Sequence, residues 1–309
     1  MVPTHLLEST MNDDDIKLLC GWLGATEKQK GLARQFPTLA QAAPNLMGGP
    51  TPTEPILLYK AWKDVLGEYP KYVPQTIGDC VSHGWSHGND LLQCVEIRLG
   101  EPAAYQETDT EVWYGMAREI SGDLGRQDGS YGAAAAKAGM QWGMVSRAMM
   151  GKDGTYSGQR AKEYGLHGVG DAIKAMAKPF LLGNAAQTDT FDAVVAALAG
   201  GYPVPECSNF LPDGQRDKDG FVQPRGRGGH CQCIVGARFD RPGLCIVNSW
   251  GAEYFSGPCG LDCPPFGYWI DKDVFERWIA GSGDNFAISK SPAFVKRDLP
   301  PSWSYSDAA

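Results

Sequence analysis

The sequence has no apolar run approaching the roughly 20 residues of a membrane span, so no transmembrane segment is expected. It also has no block of lysine and arginine. Net charge is −8 at neutral pH, and the pair Arg225 and Arg227 sits isolated among glycines. Nucleic-acid binders gather positive charge on one face, so no nucleic-acid partner is expected. Residues 1–20 lack the apolar core of a signal peptide and carry His5, Glu8 and Asp13-Asp14-Asp15 instead. The expectation is a soluble, cytoplasmic protein with reduced thiols. No internal repeat is visible.

What remains is ordinary globular material: 309 residues, 43% hydrophobic and 21% charged, enough for one large domain or two moderate ones. The 39 glycines and 21 prolines favour turns and loops over a helical bundle. The nine cysteines are an odd number, compatible with one reactive thiol among otherwise buried apolar ones.

Helical patterns dominate the first two thirds. Asp13 to Asp15 are placed to start a helix carrying Ile16, Leu18, Leu19 and Trp22. Residues 44–55 hold four prolines and two glycines and read as an extended arm. Residues 56–66 form a short helix ended by Gly67. Over residues 80–98, Val81, Trp85, Gly88, Leu92 and Val95 recur at helical spacing and predict one apolar stripe. Residues 132–143 and 190–199 predict two more helices. Short strands are expected at residues 203–208, 230–238, 244–248, 267–270 and 285–289. Helices first and strands later argue for an α+β protein with two lobes.

Cys80 lies at the N-terminal end of the predicted helix 80–98. A thiol attacks as thiolate, and free backbone N–H groups at a helix tip lower its pKa. A histidine can then form the ion pair, and a third polar group can orient the ring. His230 and Asn248 are candidates for these roles.

Three segments together resemble the papain family of cysteine peptidases. They are Gln75-Thr76-Ile77-Gly78-Asp79-Cys80, Gly228-Gly229-His230 with Ile234-Val235-Gly236 after it, and Asn248-Ser249-Trp250-Gly251 with Gly267-Tyr268-Trp269-Ile270 after it. Weaker echoes are Asp128-Gly129-Ser130-Tyr131-Gly132 and Pro203-Val204-Pro205-Glu206. The resemblance implies a two-lobed papain-like fold, with a helical lobe around a central helix and an antiparallel, β-barrel-like lobe. It divides the chain into an N-terminal extension (1–69), a catalytic domain (70–292) and a loosely held C-terminal tail (293–309). It implies Cys80 as nucleophile, His230 as base, Asn248 as orienter and Gln75 as oxyanion donor. Trp250 would shield the Asn248–His230 bond. Gly129, Ser130, Tyr131 and Gly229 would line the acyl side of the cleft. The substrate would be a peptide or protein, and no cofactor is called for.

The chain departs from the family pattern in places. Gln75 precedes Cys80 by five positions rather than six, and Asp79 replaces a small residue. A carboxylate facing the sulfur would raise the thiol pKa. Val81 stands where an aromatic is common. His83, His87, Asp90 and Cys94 share a helical face, and Cys231, Cys233, Cys259 and Cys263 cluster in sequence. The first group reads as buried polar residues and the second as core thiols, ahead of a metal site or a disulfide. The alternative to a peptidase is an inactive papain-like scaffold in a virion or large complex, with residues 1–69 as an assembly contact. An amidase or acyl transferase is a third possibility.

Overall fold

A computed structural model describes residues 11–49, 52–153 and 155–304. The readings made on residues 1–10, Pro50 and the last five residues of the tail lie outside the described residues. The chain runs α1 (Asp13–Leu19), α2 (Glu27–Ala33), α3 (Leu39–Ala42), α4 (Lys60–Leu66), α5 (Cys80–Arg98), α6 (Thr110–Ser121), α7 (Gly132–Gln141), α8 (Gly158–His167) and α9 (Asp171–Ala177). It continues β1 (Asn184–Gln187), α10 (Phe191–Ala199), β2 (Val204–Pro212), β3 (Pro224–Arg238), β4 (Gly243–Val247), β5 (Gly267–Asp271), α11 (Lys272–Trp278) and β6 (Phe286–Ser289). Among the described residues, no helix is long and apolar enough to cross a membrane.

Strands β2, β3, β4 and β5 form one antiparallel sheet in sequence order, and β1 pairs with β6 apart from it. The expected barrel-like lobe is therefore an open four-stranded sheet rather than a closed barrel. The sheet packs on α5, so the fold is α+β with a helical lobe and a sheet lobe. Bulges interrupt the pairing after Ser208 on β2 and after Ile234 on β3, and bend the long central strand.

Helix α5 starts and ends where its pattern predicts, but its burial is not confined to one stripe. Every residue from Cys80 to Leu92 is buried, because α5 is enclosed by α4, α6 and the sheet. Its Asp90 finds partners inside. The Asp90 Oδ1 accepts from the Thr108 N–H at 3.0 Å, and the Tyr72 hydroxyl donates to Asp90 Oδ2 at 3.1 Å. His87 stacks on Tyr72, with ring centroids 4.3 Å apart.

Two expectations at the chain ends need correction. Helix α1 is capped by Asn12, whose side chain accepts from the Asp14 and Asp15 N–H groups, and it stops at Leu19. Trp22 therefore lies beyond the helix, in extended chain, and Leu18 is exposed. The tail is anchored to the core at Phe294 and Trp303, with mostly exposed residues between them. Trp303 is buried, its indole donates to Asp64 at 2.9 Å, and its carbonyl accepts from the Leu57 N–H at 2.7 Å. The N-terminal extension is likewise part of the core: Tyr59 and Trp62 are fully buried, and Ile56 pairs with Ala237 of β3.

Within the sheet, Glu206 of β2 is fully buried and accepts from Gln232 Nε2 at 3.1 Å, while Gln232 Oε1 accepts from the Tyr268 hydroxyl. Burial pushes the Glu206 carboxyl up to about 8 from its ordinary 4.5. A raised folded-state pKa contributes stability that is complete below the unfolded value and lost as pH climbs to about 8. The Glu206→Gln variant should lose this component. Its melting temperature should fall less than that of the parent between pH about 4.5 and about 8, and equal slopes would refute the assignment.

Candidate active site

Cys80 is the first residue of α5, and its sulfur is fully buried. The main-chain amides of Gly21 and Cys231 reach that sulfur, the former at 3.2 Å, so the residue after His230 lies against the thiol. Burial pushes the Cys80 thiol well above its ordinary range, and these two amides pull the other way.

His230 lies on β3 opposite Ser208 of β2. Its Nε2 is 2.8 Å from Asn248 Oδ1. The Ser249 N–H donates to the same Oδ1 at 2.7 Å, which fixes that atom as the amide oxygen. Nε2 must then carry the ring proton, leaving the Nδ1 lone pair free to act as a base. Trp250 stacks on the imidazole, with ring centroids 4.4 Å apart. Burial lowers the His230 pKa to about 4, the Asn248 bond opposing it.

Gln75 is held by the same segment that carries Asn248. Its N–H donates to the Ser249 carbonyl at 2.9 Å, and its Oε1 accepts from the Ser249 hydroxyl. Its Nε2 donates to the Leu19 and Ile77 carbonyls, each at 2.8 Å. The Asp79 carboxylate accepts from the Tyr156 hydroxyl at 3.1 Å and lies 3.5 Å from His83 Nε2. Its side chain does not cap α5.

The cleft is filled by residues 19–23, a strap that the sequence pattern did not single out. The Leu19 carbonyl sits on Gln75 Nε2, and the Gly21 N–H sits on the Cys80 sulfur. The Trp22 N–H donates to the Gly229 carbonyl at 3.0 Å. Ser130 donates to the Gly21 carbonyl at 2.8 Å and accepts from the Leu23 N–H at 3.1 Å, in a parallel bridge with Trp22. Gly129 adopts a φ of +125°, and the Tyr131 hydroxyl accepts from Thr26 at 3.2 Å. Glycine is required at two approaches. A Cβ on Gly21 would lie 1.9 Å from the Gly78 carbonyl oxygen, and one on Gly229 would lie 2.0 Å from the Trp22 carbonyl oxygen. A glycine followed by tryptophan just past a capped helix is the one sequence signal that could have marked the strap.

Among the described residues, no group of three His, Cys, Asp or Glu side chains is arranged to hold a metal ion. All nine cysteines are free thiols.

Site and architecture define a class: an α+β protein with a cysteine at the tip of the central helix and, on the facing sheet, a histidine bonded to an asparagine just past β4. The fold is that of the papain-like cysteine proteases. Among solved structures the chain resembles xylellain, a cysteine protease from Xylella fastidiosa, with a TM-score of 0.61 and 15% identity over 88% of this chain and 96% of that one. It also resembles a procathepsin B from Trypanosoma congolense (TM-score 0.60, 12% identity, covering 90% of this chain and 89% of that one). A third is procathepsin L 3 of Tenebrio molitor, with a TM-score of 0.52 and 10% identity over 85% and 79% of the two chains. No family model and no curated protein matches the sequence.

Proposed function

We propose that this protein is a cysteine peptidase held latent by its own residues 19–23. The observation that carries the reading is the pair of contacts made by the strap: a carbonyl oxygen on Gln75 Nε2 and a peptide N–H on the Cys80 sulfur. These groups grip main chain at the place where a scissile peptide would lie. In the open enzyme His230 Nδ1 takes the Cys80 proton, and the thiolate attacks the substrate carbonyl carbon. The oxyanion gathers on Gln75 Nε2 and the Cys80 N–H. His230 returns its proton to the leaving amine, and water then hydrolyses the thioester. Asn248 keeps Nε2 protonated and the ring in line, and Trp250 keeps water from that bond.

The strap escapes cleavage for a geometric reason. The sulfur faces an amide hydrogen, not a carbonyl carbon, so no electrophile is presented to it. Covering the site also holds the thiol up and the imidazole down through burial, which disfavours the ion pair. Two of the similar structures are of precursor forms, a procathepsin B and a procathepsin L 3, which fits a closed state.

The buried cleft equally favours a second reading, a scaffold without turnover. Labelling with a peptidyl epoxysuccinate, read by mass spectrometry across pH, separates the two. Labelling of the parent should be slow. In Gly21→Val the strap cannot seat, the burial penalty falls, and Cys80 should be labelled rapidly and from a lower pH. An unlabelled Cys80 in the folded variant would establish the scaffold reading.

A further inference from the structure

The two oxyanion donors stand at the ends of one short loop. Gln75 opens it, Cys80 closes it, and Thr76, Ile77, Gly78 and Asp79 lie between. Inside the loop, the Asp79 N–H donates to the Ile77 carbonyl at 2.9 Å, and the Gln75 side chain donates to the same carbonyl. A third support comes from outside. The Tyr156 hydroxyl accepts from the Thr76 N–H at 3.0 Å and donates to the Asp79 carboxylate at 3.1 Å. One oxygen thereby ties the residue after the first donor to the residue before the second.

Tyr156 is itself fixed by the helical lobe. It is buried, it immediately precedes Ser157, the N-cap of α8, and its ring lies edge-on to His83 with centroids 4.9 Å apart. The Ser157 N–H donates to Glu111 of α6 at 2.7 Å, and Glu111 also accepts from Arg160 of α8. Gly158 lets α8 come this close, since a Cβ there would lie 2.2 Å from the Thr76 hydroxyl oxygen. Burial and the Asp79 charge push the Tyr156 phenol up, so it keeps its proton and remains a donor to Asp79.

Without that hydroxyl, the Thr76 N–H loses its acceptor, and the buried Asp79 carboxylate keeps only His83 Nε2, 3.5 Å away. Buried groups left unpaired are costly, so the loop would shift to find other partners. Gln75 rides on that loop, and about 1 Å of misplacement costs about 10² in rate. The sulfur belongs to α5 and the imidazole to β3, so the ion pair does not depend on the loop in the same way.

We propose that Tyr156 is a positioning residue whose hydroxyl sets the separation of the two oxyanion donors. The role rests on the peptidase reading, and the experiment tells their failures apart. Tyr156→Phe is placed on Trp22→Ala, with the rest of the chain intact, and cleavage of a fluorogenic peptide is measured beside a thermal melt. kcat should fall about ten- to a hundredfold with KM within about twofold, since the bonds to the oxygen strengthen only as charge develops. On Trp22→Ala carrying Gln75→Ala, the same substitution should cost no more than about threefold, because the donor it positions is already gone. Asp79→Asn should keep most of kcat, since its amide oxygen still accepts from the hydroxyl, and Asp79→Ala should lose about as much as Tyr156→Phe. The pH profile of Cys80 alkylation by iodoacetamide should be the same with and without the hydroxyl. An unchanged kcat, an undiminished loss on the Gln75→Ala background, or an alkylation profile moved to higher pH would overturn the role of Tyr156 and leave the peptidase reading standing. A folded Trp22→Ala that cleaves no peptide would sink the peptidase reading, and the role of Tyr156 with it.

Discussion

Replacing Trp22 with alanine should raise the rate of peptide cleavage at least about a hundredfold over the parent. Trp22 is almost wholly buried, and its indole makes the strap's hydrogen bond to Asp284. Removing a buried tryptophan costs about 3–5 kcal/mol where the cavity cannot collapse. Here that cost falls on the closed state, because an open strap exposes this side chain in any case. Each 1.4 kcal/mol is about tenfold in an equilibrium, so the open fraction should rise by about 10²–10⁴ until it saturates. Gly21→Val tests the same equilibrium by another route. Its Cβ would lie 1.9 Å from the Gly78 carbonyl oxygen, a clash with backbone that cannot be relieved by a rotamer change. General damage to the fold would lower activity, so a rise in both variants is specific to the strap. Steady-state cleavage of an unstructured protein such as casein is the assay, and an unchanged rate in both variants would refute latency by the strap.

On that opened background, two substitutions should act in the other direction. Cys80→Ala should abolish turnover, since among the described residues no other cysteine begins an α-helix. Gln75→Ala should lower kcat by about 10²–10³, the usual cost of losing one oxyanion donor. KM should move little, because the bond to Nε2 strengthens only as charge develops on the oxygen. The split matters. A fall in KM-linked affinity with kcat preserved would make Gln75 a binding residue and not an oxyanion donor. Gln75 also bonds Ser249 through two atoms, so a thermal melt of the variant accompanies the kinetics.

The parts of the site legible in the sequence were those made of contiguous residues. Gln75 to Cys80, Gly229-His230 and Asn248 to Trp250 are each short strings whose order carries meaning. The central helix was legible to the residue, because a turn-rich approach precedes Cys80 and small and apolar residues follow at helical spacing. Helix α6 was not, although Asp109 caps it, since its aromatic and glycine content blurred the pattern. The strap escaped for a related reason. Ile16, Leu19 and Trp22 fit one helical stripe on paper, but Asn12 caps a helix of only seven residues, and Cys20 turns extended. Asp284 had no signal at all: its meaning comes from Trp22, which is 262 positions away.

By itself, the sequence determined which chemistry was available: a thiol at a helix tip, an imidazole on a strand and carboxamides before and behind. These follow from local propensity and from residue type, both readable along the chain. Tertiary structure alone decided that the chain lies across its own cleft, that a carboxylate waits behind the strap, and that the Asp79 side chain meets the Tyr156 hydroxyl. Each of those is a contact between segments distant in sequence or a choice of side-chain direction, and packing, not local pattern, selects among such options.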